Sequence, residues 1–382
     1  MRGVAQQALE RILAEHAHAL GVEVCRGDAV ESFEDTGARV RVVVRGPGAL
    51  RELDAAFLVG CDGARSVVRK LAGFDFPGTD PTLTGRQGIV ELDHPERLLP
   101  LGWRRTRAGM MAYGPRPGRL SIIEFDGPPA DRDAPVTAAE FEESLRRVSG
   151  ADVRITALRS ATRWTDNARQ SSTYRRGRVL LAGDAAHIHS PFGGQGLNLG
   201  LVDATNLGWK LAATVRGDAP EGLLDTYTSE RHPVAASVLE NTRAQLALMR
   251  PDPQTTALRD IVAELLTTFP DVNRHFGEMT SGVGTRYDLD DDDPLVGRLA
   301  ADGELTIDGV PTRLYSLMHD GRGLFVDGDG VASEAVLAWP SRVRVVKASG
   351  ARSMLIRPDG CIAWAGRPGG LRPALERWFS AS

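Results

Sequence analysis

The residues best equipped for chemistry are packed into one stretch, Gly183-Asp184-Ala185-Ala186-His187-Ile188-His189-Ser190-Pro191-Phe192-Gly193-Gly194-Gln195-Gly196-Leu197-Asn198. The apolar run Arg178 to Ala182 before it reads as a short buried strand, which would deliver Asp184 to the strand end. A carboxylate there can accept hydrogen bonds from the hydroxyls of a polyol. The glycines let backbone amides approach a flat ring, because no Cβ stands in the way. A helix expected over roughly Gly196 to Thr214 would begin beneath that ring. Its first N–H groups and its dipole would stabilise negative charge developing on the ring edge.

A second stretch, Gly60-Cys61-Asp62-Gly63-Ala64-Arg65-Ser66-Val67-Val68-Arg69, brings a carboxylate off a strand into a tight Asp-Gly turn before a helix. Helix N-termini favour anions, so the turn could hold a dinucleotide. The alternative is a plain turn with Ser66 as helix cap.

Other patterns lead nowhere. Gly194-Gln195-Gly196 with Gly200 approaches G-x-G-x-x-G but does not open directly from a strand in a complete βαβ unit. His187 and His189 alternate sides of an extended segment and lack a third ligand, so no metal is expected. Asp327-Gly328-Asp329-Gly330 looks like a calcium loop, but Ala338 stands where the closing glutamate belongs, and a hairpin turn is expected instead. No serine-hydrolase elbow, P-loop lysine motif or H-E-x-x-H is present.

These stretches must be positioned by a sizeable scaffold. The chain has 382 residues, enough for two or three domains, with 42 % hydrophobic and 25 % charged residues. A formal net charge of -4 disfavours a general nucleic-acid binder. Cys25, Cys61 and Cys361 form neither a disulfide framework nor a zinc ribbon, and no run is apolar enough for a membrane span or signal segment, so a cytoplasmic protein is expected.

Helical periodicity covers Gln6 to Leu20, Ala138 to Val148, Arg231 to Met249, Thr256 to Thr268 and Leu371 to Phe379. Strands are expected at Val22 to Val24, Arg39 to Val44 and Ala56 to Cys61. A β-rich region runs from Gly85 to Asp126, and further strands lie around Gly323 to Asp327, Val343 to Val346 and Met354 to Ile356. The acidic run Asp290 to Asp293 before Pro294 fits a solvated linker and marks the last domain boundary.

Together with Tyr227 and Glu230-Arg231-His232-Pro233, the two motif stretches resemble the flavoprotein aromatic hydroxylase family built on the p-hydroxybenzoate hydroxylase fold. Asp320-Gly321-Arg322-Gly323-Leu324-Phe325 and Ile356-Arg357-Pro358-Asp359-Gly360-Cys361-Ile362-Ala363-Trp364 look like the thioredoxin-like appendage of the branch acting on phenols and aromatic polyketides. The resemblance implies an α/β fold with three parts: a partial, glutathione-reductase-like FAD-binding domain (1–75 and 166–285), an inserted β-sheet substrate domain (76–165) and a thioredoxin-like domain (294–382).

It further implies FAD as cofactor and NAD(P)H as electron donor. Gln6 would lie near the flavin ribityl chain, Asp62 and Gly63 near the diphosphate, and Asp184 on the ribityl hydroxyls, while Pro191, Gly193, Gly194, Gln195, Gly196, Leu197 and Asn198 would line the isoalloxazine. Oxygen would enter an aromatic small molecule through a flavin C4a-hydroperoxide, by ring hydroxylation or by Baeyer–Villiger insertion at a ring ketone, with no side chain marked as general base. Trp103, Met110, Met111, Tyr113 and Phe125 are candidates to face the substrate. Family members begin with a strand, a G-x-G-x-x-G turn and a helix, which this sequence lacks, so unpaired strand edges and exposed apolar faces are expected. Two alternatives remain at this point: a non-catalytic remnant binding an aromatic ligand or protein partner without FAD, and a thiol redox protein, for which Cys361 lacks a second thiol. Homo-oligomerisation is left open.

Overall fold

The computed structural model describes residues 4–328, 330, 336, 338–366 and 370–380. Helix α1 (Gln6–Ala19) buries none of its residues, and Ile12 and Leu13 are exposed. Val22 to Val24 is not a strand: it has no ladder partner among the described residues, and pairing begins at β1 (Ala29–Asp35). β1, β2 (Val40–Arg45) and β3 (Leu50–Ala55) form an antiparallel meander. In β2, Val40, Val42 and Val44 point inward while Arg41 and Arg45 face solvent, the period of two expected of a half-buried strand. β4 (Leu58–Gly60) then leads into the short α2 (Val67–Leu71).

After β5 (Gly78–Thr79) comes an antiparallel sheet of five strands: β6 (Thr84–Leu92), β7 (Gly102–Thr106), β8 (Gly109–Tyr113), β9 (Arg119–Glu124) and, beyond α3 (Ala138–Ser149), β10 (Ile155–Trp164). Its order is β10-β6-β9-β8-β7. Thr137 caps α3 by accepting the Glu140 N–H, and Gly150 ends it in the left-handed region at φ 68°. The apolar stripe Phe141, Leu145 and Val148 covers one sheet face, packing with Val90, Met111, Leu120 and Ile122. The opposite face carries Met110 and Ile123, joined by Leu83 and Leu246.

β11 (Ala168–Gln170), β12 (Arg175–Arg176), β13 (Val179–Leu181) and β14 (His187–Ile188) return the chain to β4. β13 runs parallel to β4 with Leu181 opposite Gly60, and β4 lies at the edge of the sheet β12-β13-β4. Four helices follow, α4 (Gly196–Arg216), α5 (Thr226–Met249), α6 (Pro253–Thr268) and α7 (Pro270–Ser281). Leu199 and Leu207 of α4 and Tyr227 and Ala235 of α5 close over β13.

The acidic run is less free than a solvated linker: Asp293 pairs with Arg352, and the Asp291 and Asp293 carbonyls accept from Arg286. Beyond it, β15 (Glu304–Ile307) and β16 (Val310–Arg313) form a hairpin through Asp308 and Gly309, both at positive φ. β17 (Gly323–Asp327), β18 (Val343–Lys347), β19 (Met354–Ile356) and β20 (Ile362–Ala365) form a sheet of order β18-β17-β19-β20, and α8 (Leu371–Trp378) packs Leu371, Leu375 and Trp378 into its core. β17 and β18 are parallel, so they are not joined by the expected hairpin, whose Asp329 lies outside the described residues. No described helix is long and apolar enough to cross a membrane, and no group of three or more His, Cys, Asp or Glu among the described residues could hold a metal ion.

Candidate functional site

The parallel strands β4 and β13 finish level with one another, and the loops carrying Asp62 and Asp184 leave from those ends. Crevices at the carboxyl ends of parallel strands are where open α/β sheets bind ligands. Arg69 ties the two loops together: its guanidinium donates to the Ala185 carbonyl at 2.8 Å and the Ala64 carbonyl at 2.9 Å, and it stacks on Phe76 at 3.7 Å.

Asp62 is occupied within its own loop. Its carboxylate accepts from Ser66 Oγ and from the N–H groups of Val67 (2.7 Å) and Val68 (3.1 Å), and Ser66 Oγ accepts from Arg69 N–H at 2.9 Å. The first-turn N–H donors of α2 are therefore already used within the loop, as the helix-cap alternative has it. Gly63, at φ 79° with open space where a Cβ would stand, keeps its backbone approachable.

The Asp184 loop rests on a buried polar hub. Asp203 of α4 accepts from the Gly183 N–H (3.0 Å), faces His187 Nε2 at 2.6 Å and takes the Arg231 Nε–H at 2.8 Å. Burial pushes the Asp203 carboxyl up, but the bonds and charges of His187 and Arg231 outweigh it and hold the group below the usual carboxylate range. Arg231 also reaches Leu199 O and Tyr287 Oη, and Tyr227 donates to Leu181 O. Gly183 and Gly200 meet backbone to backbone, a Cβ on Gly200 falling 3.5 Å from the Gly183 Cα. Strand end and first helical turn are thereby locked in register.

Above this hub the loop is open. Asp184, Pro191, Gly193, Gly194, Leu197 and Asn198 are all exposed, Leu197 by 39 %, and the Asp184 carboxylate makes no hydrogen bond to described residues. Gly193 and Gly194 hold φ values of 75° and 63°. α4 begins without a side-chain cap, so its leading N–H groups keep their capacity to donate. Gln195 is buried beneath, and its Nε2 has no acceptor. A free carboxylate, bare glycine backbone, an uncapped helix N-terminus and an unmet amide donor fit an FAD whose ribityl hydroxyls need an acceptor and whose ring edge needs donors.

The second face of the five-stranded sheet meets this loop. Phe192, between Pro191 and Gly193, lies 6.1 Å from the ring of Trp103 and 6.4 Å edge-on from that of Trp164, and Phe125 and Met249 join the same cluster. Arg105 of β7 pins the sheet to the α5–α6 junction, donating to Met249 O, Arg250 O and Thr256 Oγ1. Met110 and Phe125 lie on the side of the sheet that packs against Phe192, and Trp103 is 58 % exposed beside it. Met111 and Tyr113 do not: they pack on the α3 side. Alternation along β8 forces Met110 and Met111 to opposite faces.

The structure thus sets the Asp62–Gly63 loop beside the Asp184 loop, and Pro191 and Gly193 to Asn198 lead on from the latter into α4. It gives Gln6 only a 2.8 Å bond to Glu10 on an exposed helix. Sequence reasoning passed over Asp203, whose position seven residues into α4 reads as an ordinary polar helix residue, and over Phe192, Trp164 and Met249. Glu230, quoted in the Tyr227 to Pro233 motif, faces the C-terminal region instead: it binds Arg357 through both oxygens at 2.8 Å and Lys210 at 2.9 Å.

Comparison with known proteins agrees with this geometry. The family described as "FAD binding domain" matches residues 1–242, and that described as "Aromatic-ring hydroxylase, C-terminal" matches 293–382. The chain is 42% identical to a 12-dehydrotetracycline 5-monooxygenase/anhydrotetracycline 6-monooxygenase of Streptomyces rimosus subsp. rimosus, over 98% of this chain and 80% of that protein. It is 43% identical to a rifampicin monooxygenase of Streptomyces venezuelae, over 99% and 79% respectively. The solved structure of an aromatic hydroxylase from angucycline biosynthesis superposes with a TM-score of 0.91 at 39% identity, covering 100% of this chain and 81% of the other. The likeness favours an enzyme over a non-catalytic binder. On matches spanning both its FAD-binding and its C-terminal regions, the chain belongs to the FAD-dependent aromatic-ring monooxygenases.

Proposed function

We propose that this monooxygenase acts on a multi-ring phenol of the aromatic polyketide type, held between the Pro191–Asn198 loop and the Trp103/Phe125/Trp164 face of the five-stranded sheet. The observation that carries the proposal is the covalent continuity of the two surfaces. Phe192, the central ring of the aromatic cluster, is itself a residue of the glycine loop. A flat ring system stacked there gains aromatic contact worth about 0.5–1.5 kcal/mol per pair beyond its buried area. Relatives named for tetracycline-type and rifampicin substrates support a large aromatic ligand.

Bound FAD would supply the redox chemistry, passing two electrons from NAD(P)H to O2 so that one oxygen atom enters the ring and the other leaves as water. The chain's residues bind and orient. Asp184 would accept from the ribityl hydroxyls, the backbone of Gly193 to Asn198 and Pro191 would hold the isoalloxazine, and Gln195 would offer its unmet amide donor. The uncapped start of α4 stabilises negative charge on the ring edge. Gly63 presents backbone to the diphosphate, while Asp62 shapes that loop by capping α2. Gln6 as a ribityl neighbour rests on family resemblance alone.

The domain division follows the same reading: 1–75 with 166–285 for FAD, 76–165 for substrate, and 294–382 as a thioredoxin-like domain. Strand order β18-β17-β19-β20 supports the last of these. Cys361 there is buried, its thiol pushed up to about 12 chiefly by burial, which suits packing and not exchange. Three free cysteines accord with a reducing cytoplasm.

The test is NAD(P)H consumption by the flavin-loaded chain with anhydrotetracycline, naphthols and single-ring phenols under 18O2. Mass spectrometry should find a product heavier by one labelled oxygen, with multi-ring phenols outpacing single-ring ones. A folded, flavin-retaining protein that oxygenates none of them would refute the substrate class.

A further inference from the structure

A cleft of about 570 Å³ opens between the distal half of α4 and the C-terminal region, away from the flavin loop. Trp209, in its wall, is thirteen residues along α4 from Gly196, which at 1.5 Å per residue places it about 20 Å from the ring-binding loop. No hydride or oxygen transfer at the loop reaches that far.

Its walls have a definite chemistry. On α4, Gly208, Ala212 and Ala213 leave the helix backbone bare along one side, and a Cβ on Gly208 would meet nothing within 4 Å. Trp209 of the same helix and the largely buried Trp378 and Phe379 complete the lining, with Trp209 and Phe379 6.2 Å apart. These rings are held from behind: the fully buried Arg357 guanidinium lies 4.3 Å from the Trp378 ring and 5.4 Å from that of Trp209, and is itself fixed by Glu230. The rim carries Arg216, Arg322 and Arg342 against Asp218 and Asp320, one positive charge in excess. Arg216 and Arg342 share Asp218, and Arg322 pairs with Asp320.

Two buried donors in this lining have no acceptor, Trp209 Nε1 from the helix side and Arg342 Nε from the opposite side. Buried donors without partners are rare in folded proteins and cost about 1–3 kcal/mol each. A slot with bare backbone and aromatic walls selects a flat ring, and unmet donors under an arginine-rich rim select an acceptor with negative charge.

We propose that this cleft is a second ligand site, one that binds a small planar aromatic carboxylate. The site stands on its own residues and does not depend on the substrate proposed for the flavin loop.

Calorimetric titration of the full chain with 1-naphthoate tests it, with 1-naphthalenemethanol as the uncharged ring and inorganic phosphate as the anion without a ring. Gly208→Leu fills the slot from a helical position with open space, and Arg342→Gln removes the rim charge while keeping an amide donor. Circular dichroism and melting temperature report whether each variant folds. The expected result is 1-naphthoate binding weakened at least about tenfold by each substitution, left unchanged by Phe192→Ala, and at least about tenfold tighter than either comparator. Naphthoate binding that survives both cleft variants but falls with Phe192→Ala would place the ligand at the flavin loop and overturn the proposal. Equal affinity for naphthalenemethanol or for phosphate would overturn it as well, since charge or ring would then play no part. Should Gly208→Leu fail to fold, unchanged affinity in Arg342→Gln suffices to reject it.

Discussion

Arg231 donates its Nε–H to Asp203 at 2.8 Å with both side chains almost wholly withdrawn from water. The other Asp203 oxygen holds the Gly183 N–H and faces His187. One carboxylate therefore sets the distance between the end of β13, the first turns of α4 and α5. Asp203→Asn keeps the shape but leaves the Arg231 guanidinium buried without a countercharge. Removing one partner of a buried pair costs about 3–5 kcal/mol. Urea unfolding should show a loss of that order, and flavin retention should fall with it because the loop loses its support.

Asp184 should behave in the opposite way. It is exposed and bonded to no described residue, so Asp184→Ala leaves the melting temperature of the flavin-free chain unchanged within a degree or so. If it accepts ribityl hydroxyls, a lost charge-assisted bond of about 1.5–3 kcal/mol weakens FAD about 10- to 100-fold. Fluorescence titration with FAD measures this directly. Asp62→Ala is the contrast: with the Val67 and Val68 N–H groups deprived of their acceptor, stability itself drops by about 1–2 kcal/mol. Equal flavin affinity for wild type and Asp184→Ala would remove Asp184 from the cofactor site.

What the sequence made legible follows the reach of its signals. Strand β13, the glycine loop and α4 could be read because apolar runs, glycines and a helix start are local patterns. The helix α3 was readable from its apolar periodicity, the expected Ala138 to Val148 stopping one residue short of its observed end. Val22 to Val24 misled, since β-branched residues show only a preference and a strand requires a partner. The roles of Asp203 and Phe192 were hidden for a related reason. Each depends on residues far off in the chain, Arg231 for one and Trp103 and Trp164 for the other, and no local spacing records such meetings. Asp62 was seen, but its occupation by Val67 and Val68 N–H groups appears only once the turn is built.

Phe192 links cofactor loop to substrate wall, so its loss should register in substrate binding before it registers in flavin binding. Phe192→Ala and Trp103→Ala each remove one face of the ring cluster. With a multi-ring phenol, KM should rise about 5- to 13-fold, as about 1–1.5 kcal/mol of aromatic contact implies, while kcat changes less. FAD affinity should stay within twofold for Trp103→Ala. A fall in kcat with KM untouched would mean that these rings do not hold the substrate.

The buried pair between α5 and the C-terminal region gives stability a pH dependence of defined sign. Burial alone pushes the Glu230 carboxyl up, but the Arg357 guanidinium, bonded to both oxygens at 2.8 Å, and Lys210 at 2.9 Å overcome it and hold the group down to about 2, against an ordinary 4.5. Below that ordinary value the unfolded chain takes up the proton first, so folding loses free energy as pH falls from 4.5 towards 2. Above 4.5 the contribution is present in full, on the order of 3 kcal/mol at 1.36 kcal/mol per pKa unit. Lys210 acts with the other sign: burial, aided by Arg357, pulls it down to about 8, so its charged form burdens the fold at neutral pH, and that burden lifts as pH rises from 8 towards 10.5. In Glu230→Gln, Arg357 and Lys210 lose a shared countercharge. The gap in unfolding free energy between wild type and this variant should be widest near pH 7 and should narrow steadily between pH 4.5 and 2. A gap that stays constant across that acid window would mean that Glu230 does not titrate as an ion pair with Arg357.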